Sequence, residues 1–332
     1  MFLYREHVVA VSLADTATRK FVELGRTGGS PTRAVMSSAG GEGSEHLGMV
    51  VADPAHAAII AVSAGSGTTG GGVAVVADSY EGTPFSGPSA LACCPLPSGG
   101  EMLAFCDAGA SGDTSIDSPT GSVYVIVPDT GSSDGGSVLR PICTGCLADP
   151  VDVALLAPPA GAPSADAASG VSMESQVDAG SKAGSLAPIG FVAERGAGRL
   201  WRFAESPAGS GAFRMSVFAS VSGGTGPCAL AVDARAGPGF GTVFVGVGEE
   251  VAACALLRAG GVAADGACAR VVAYSPGGKQ IGEWAVPQLS TVTGMCMDPS
   301  GAYLLVSGVP AWLKGDTEQS ASGGGLIVRI AL

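Results

Sequence analysis

The sequence predicts an all-β protein assembled from one repeated four-stranded unit, and three observations carry that prediction. Apolar segments are short, about four to seven residues, rich in Val, Leu, Ala and Phe, and bounded by Gly, Pro, Ser and Asp, which is a strand-and-turn pattern. No long window keeps the 3.6-residue apolar period, so no helix longer than about three turns is expected. The segments also recur in a fixed order along the 332 residues.

The clearest unit runs GPCALAVD (226–233), GTVFVGVGEE (241–250), ARVVAYSP (269–276) and QIGEWAV (280–286), read as first to fourth strands. The same order is read in GPSALACCP (87–95), EMLAFCDAG (101–109), GSVYVIVPD (121–129) and GSVLR (136–140). It returns in DPVDVALLAP (149–158), IGFVAERG (189–196), GRLWRFAES (198–206) and AFRMSVFAS (212–220). Three further units are incomplete. LGMVVADP (47–54), AAIIAVSAG (57–65) and GGVAVVAD (71–78) are read as first to third strands, as are TGMCMDPSG (293–301), AYLLVSG (302–308) and GGLIVRIAL (324–332). At the start, FLYRE (2–6), HVVAVSL (7–13) and RKFVEL (19–24) match the second, third and fourth.

A four-stranded unit returning every ~40–50 residues marks a β-propeller, because one sheet cannot cover both of its faces alone and radial stacking covers them. The expectation is a single propeller domain over 1–332 with about six four-stranded blades. The Gly/Ala/Ser-rich segment 157–188 reads as a mobile low-complexity insert between a first and a second strand. Inserts at 65–72, 107–121, 249–268 and 308–325 are read as second-to-third-strand loops, which would gather on one rim.

The pairs GPCALAVD…GTVFVGV and GMCMDPSGAYLLVSG…GGLIVRI resemble the NHL-repeat pattern and that of the related gluconolactonase and strictosidine-synthase-like propellers. FVAERGAGRLWRF (191–203) and FLYREHVVAVSL (2–13) match the later strands of the same pattern. The resemblance implies a propeller, and in the calcium-dependent lactonases of this group a metal site of one Glu with Asn and Asp. This chain contains no Asn at all. The family's ligand set therefore cannot form here, and no N-linked glycan can be attached.

Composition narrows the partners. The net charge is −12 and only four of the basic residues are lysines, with no Lys/Arg cluster. A nucleic-acid binder needs a positive field to displace counterions, so that class is set aside, as is electrostatic binding to a membrane surface. No signal-peptide pattern opens the sequence and no apolar stretch approaches ~20 residues. The nine cysteines are odd in number and sit mainly in apolar runs, as small hydrophobes do. The expected location is intracellular and reducing.

Four acidic residues stand just after second strands: Glu6, Asp107, Glu194 and Glu249. Carboxylates converging at a propeller mouth can hold a divalent cation or exchange protons. Acidic residues also open turns and face water, and that reading is preferred. Asp53, Asp233 and Asp298 are read as turn residues after first strands. Cys143-Thr144-Gly145-Cys146 is a C-x-x-C read as lying between two units; loop cysteines are preferred over a metal or redox site, which would need further ligands or a helix start. Cys254 and Cys268 bracket a loop that a disulfide would staple only in an oxidising compartment. The histidines (His7, His46, His56) form no metal motif, no G-x-S-x-G nucleophile motif occurs, and GSGTTGGG (65–72) lacks the Lys of a phosphate loop.

These features point to a non-enzymatic binding or scaffold propeller, a subunit of a larger protein assembly, with no cofactor. The alternative is a metal-dependent hydrolase of lactonase or esterase type using the mouth carboxylates. A protein is the expected partner, with Trp312 and Leu313 as apolar anchors in the last insert; the central channel leaves room for a small molecule.

Overall fold

The computed structural model describes residues 2–4, 7–11, 21–27, 29–30, 32–37, 48–63, 72–96, 99–109, 116–129, 136–157, 187–207, 210–235, 237–248, 268–311 and 326–332. No α-helix occurs among them. The chain divides into two compact units, Met1–Val153 and Ala154–Leu332.

In the first unit, β1 (Phe2–Tyr4), β2 (His7–Val11) and β3 (Phe21–Arg26) form a three-stranded antiparallel sheet. β4 (Arg33–Ser37), β5 (Gly48–Asp53), β6 (Ala58–Ser63) and β7 (Val73–Ala77) form a four-stranded meander. A hairpin of β8 (Ser79–Tyr80) and β9 (Thr83–Pro84) turns through Glu81 and Gly82, both at positive φ. That is the turn class whose twist suits two antiparallel strands. A second meander follows in β10 (Pro88–Pro95), β11 (Glu101–Asp107), β12 (Gly121–Pro128) and β13 (Ser137–Leu147).

β14 (Pro150–Leu156), β15 (Ile189–Glu194), β16 (Arg199–Glu205) and β17 (Phe213–Ser220) form the next four-stranded sheet. The rest of the second unit is the meander β18 (Pro227–Val232), β19 (Val243–Val247), β20 (Ala269–Tyr274) and β21 (Gln280–Val286), then a three-stranded sheet of β22 (Leu289–Met297), β23 (Tyr303–Pro310) and β24 (Leu326–Ala331). Pro88, Pro150 and Pro227 each open a first strand, where the missing N–H breaks no ladder bond.

Burial falls from inner to outer strands. β19 is buried throughout and β11 almost so, whereas β17 and β21 alternate between solvent and sheet. The first unit's core joins Val50, Ala52 and Ile59 of one meander to Leu91, Phe105 and Tyr124 of the next. Phe85, carried in by the β8–β9 hairpin, packs edge-on against Phe105 with centroids 5.1 Å apart. The second unit's core joins Phe244, Val271 and Ala273 to Leu289, Met295, Leu304 and Val306, with Trp284 against its edge.

Three sequence expectations are corrected. Segment 47–54 is a second strand, not a first: the first strand of that sheet is β4, whose five residues RAVMS begin on an arginine and end on a serine. The insert at 65–72 consequently joins a third to a fourth strand and leaves its sheet at the opposite end from second-to-third-strand loops. The C-x-x-C lies inside β13, which runs well past the expected 136–140 because its ladder with β12 continues to Leu147. The insert read at 157–188 falls outside the described residues over 158–186.

Candidate functional site

The last residue of a second strand is a buried carboxylate in three sheets: Asp53 in β5, Asp107 in β11 and Glu194 in β15. A buried carboxylate needs hydrogen-bond donors, and their identity defines its role. Asp107 takes them from the backbone leading into β10. Its Oδ1 accepts from Gly87 N–H at 2.6 Å and its Oδ2 from Ser86 N–H at 3.0 Å. The N–H of Gly109 adds a longer contact at 3.4 Å. Gly87 is required by the fit: a Cβ there would stand 2.8 Å from the carbonyl oxygen of Gly109.

Asp53 repeats the arrangement. Its Oδ1 accepts from Ser30 N–H at 2.9 Å, just before β4, and from Ala55 N–H at 3.0 Å in its own turn. Its Oδ2 lies 3.2 Å from His56 Nδ1. Burial pushes the Asp53 carboxyl up, but the hydrogen bonds from Ser30, Thr27 and His56 outweigh it and hold the group below the ordinary carboxylate range. Glu194 differs: its Oε2 accepts the indole Nε1–H of Trp201 at 2.7 Å across the β15–β16 hairpin.

Of the four acidic candidates, Asp107 lies in the first unit and Glu194 in the second, while Glu6 and Glu249 lie outside the described residues, as do Trp312 and Leu313. Among the described residues no group of three or more His, Cys, Asp or Glu side chains is placed to hold a metal ion. The expectation that these carboxylates face water is corrected for Asp107 and Glu194, which are buried on protein donors; Asp107 meets backbone N–H groups and acts as a clamp on the chain entering its sheet.

The residues read as turn openers do that work, with one addition. Asp298 accepts from Tyr303 N–H at 3.0 Å and from the Ser300 hydroxyl at 2.6 Å. Asp233 is buried and holds Arg235 in a two-pronged pair, Nε to Oδ1 at 2.9 Å and Nη2 to Oδ2 at 2.7 Å. Burial raises the Asp233 carboxyl, and the hydrogen bonds and charge of Arg235 bring it below its ordinary value. Sequence reasoning passed over Asp152, buried in β14 and paired with Arg33 at the start of β4. No local motif marks that pair, because its members are 119 residues apart.

A second feature lies on the outer strands. Val73 and Val75 of β7, Val217 of β17 and Ile281 of β21 are 50%, 61%, 51% and 58% exposed, so half or more of each apolar side chain meets solvent. All four belong to fourth strands, each at one margin of its sheet. β7 stands apart because its sequence VAVVA carries no charge and Val73, Ala74 and Val75 are exposed in succession. Native edge strands ordinarily carry lysine, proline or a bulge against unwanted pairing.

No family model matches the sequence, and no curated protein matches it as a relative. Solved structures do. A crystal structure of a nidogen/laminin complex contains a chain 10% identical to this one, with a TM-score of 0.52 over 92% of this chain and 83% of that chain. A structure of the Dos1 propeller is 9% identical with a TM-score of 0.45, covering 90% of this chain and 56% of that chain, so this chain spans little more than half its length. The likeness to the nidogen/laminin structure and the succession of antiparallel meanders make the fold an all-β propeller.

Proposed function

We propose that this chain is a non-enzymatic protein-binding propeller, a subunit of a larger protein assembly. The observation that carries the proposal is β7, an uncharged strand at the margin of its sheet with two half-exposed valines. Such an edge matches an extended segment of a partner protein, which adds as a further strand through main-chain hydrogen bonds while alternate side chains give selectivity. The nidogen/laminin structure is itself of a complex, in keeping with a propeller as a docking body. The second-to-third-strand inserts, with Trp312 and Leu313 as anchors, are proposed as a further contact region. Kinship with NHL-repeat or gluconolactonase-type propellers and an intracellular location belong to the same proposal.

The test is native size fractionation of the tagged full chain from cells, beside the double variant Val73→Lys/Val75→Lys. The wild type is expected in a species well above its own 32.3 kDa. The variant should move toward the monomer at an unchanged melting temperature, since exposed substitutions cost within about 0.5 kcal/mol. A wild type that fractionates as a monomer, or a variant that stays in the large species, overturns the role given to β7.

A further inference from the structure

We propose that Cys143 and Cys146 form a reversible dithiol–disulfide pair on the outer strand β13. The inference rests on the ladder between β12 and β13. Gly121 pairs with Leu147 and Val123 pairs with Cys143. Two residues of β12 therefore face four steps of β13. Two strand residues span about 7 Å, whereas four extended steps would span about 13 Å. The surplus chain, Thr144-Gly145-Cys146, is thrown out as a bulge, and the backbone is contracted between Cys143 and Leu147, a span that includes both cysteines.

A backbone turn and one hydrogen bond hold the contraction. Gly145 adopts a positive φ of 59°, which reverses the chain locally. Its N–H donates to the buried Ser122 hydroxyl at 2.9 Å, which anchors the bulge to β12. A contraction of this kind brings residues three apart toward the separation a disulfide needs, with Cα atoms about 4.4–6.8 Å apart. In a regular strand, cysteines three apart would lie about 10 Å from each other on opposite faces.

Access and competition point the same way. Cys146 is exposed and Cys143 half-buried, so a small reagent meets Cys146 first. Cys106 is fully buried and sits one strand beyond, with Val123 between it and Cys143 in the ladder. That places its backbone about 10 Å from that of Cys143. Burial also pushes the Cys106 thiol well up, so it stays protonated and inert.

The oxidant is a low-molecular-weight disulfide, RS–SR. The Cys146 thiolate attacks one of its sulfurs, a mixed disulfide forms, and one RS⁻ leaves to take up the Cys146 proton as RSH. The Cys143 thiolate then attacks the Cys146 sulfur, the protein disulfide closes, and the second RS⁻ leaves with the Cys143 proton. Two protein thiols are oxidised and one small disulfide is reduced to two thiols.

The test incubates the full chain in glutathione buffers of graded ratio, quenches in acid, alkylates free thiols and maps the 137–150 segment by mass. In the oxidising buffers the wild type is expected to lose about 2 Da across Cys143–Cys146 with both sites unalkylated, reversibly on adding excess glutathione. Cys143→Ser is expected to trap Cys146 as a stable glutathione mixed disulfide, because the resolving thiol is gone. Two alkylatable thiols in the most oxidising buffer overturn the proposal, as does Cys143 paired with any other cysteine. The wild-type map alone decides the matter if a variant folds poorly.

Discussion

The carboxylate of Asp107 and the backbone N–H of Gly87 meet at 2.6 Å, buried, joining the end of one strand to the residue that precedes its neighbour. The same carboxylate accepts the N–H of exposed Ser86, so its removal strands the buried Gly87 donor and leaves the Ser86 donor to water. Each buried unsatisfied donor costs about 1–3 kcal/mol. Asp107→Ala is expected to lower stability by about 1–3 kcal/mol in urea titrations, and Asp107→Asn by less, since an amide keeps one acceptor. A loss below about 0.5 kcal/mol for Asp107→Ala would show that the clamp contributes nothing.

Asp53 governs part of the acid limb. Its folded-state carboxyl is held below the ordinary value, so its contribution to stability is fully present above the unfolded-state value. The contribution is lost as pH falls through the lower folded-state value. Melting temperature should therefore drop on acidification below about pH 4, and Asp53→Asn should flatten that drop while lowering stability at neutral pH. An identical acid limb in the variant would remove Asp53 from the account.

Gly190 of β15 lies under the Phe203 ring of its partner strand, and a Cβ at that position would stand 2.0 Å from Cζ. Gly190→Ala is expected to cost about 1–3 kcal/mol by overpacking. Phe203→Ala alone should cost about 3–5 kcal/mol. The double variant should fall short of the sum by about 1 kcal/mol or more, because the second change makes room for the first. Strict additivity in chemical denaturation would contradict the packing described.

Millimolar calcium is expected to leave the melting temperature unchanged. A ligand confined to the native state at one hundred times its dissociation constant would add about 2.7 kcal/mol, a visible rise. Such a rise, abolished by Glu6→Gln or Glu194→Gln, would favour the hydrolase reading over the binding one.

Much of the fold was legible because strands such as β18 and β19 carry their own signals: Gly-Pro before, an apolar run, a Gly-rich turn after. β4 carried none. An arginine and a serine bound only three apolar residues there, so the sequence assigns 33–37 to no element, and the ladder with β5, Val35 against Val50, makes the segment a strand. That one omission displaced Asp53 from the second-strand carboxylates, to which it belongs with Asp107 as the last residue of its strand. The positions of Asp107 and Glu194 at strand ends were readable, but the donors they meet were not. Ser86 and Gly87 precede Asp107 by 21 and 20 residues, a spacing that acquires meaning only once the strand order is known. The contraction at Cys143–Cys146 was hidden for the same reason, since a bulge is a property of two strands and β13 alone shows an ordinary run.

The clamps also bear on how the chain reaches its native state. Asp107 finds Gly87, and Asp53 finds Ser30, across 20 and 23 residues, with only two strands' worth of chain to close. Closing so short a loop forfeits little chain entropy. Contacts of small sequence separation are the ones that form early and speed folding. A meander secured in this way can zip up as it leaves the ribosome, before its neighbours exist, so the order of synthesis becomes an order of assembly.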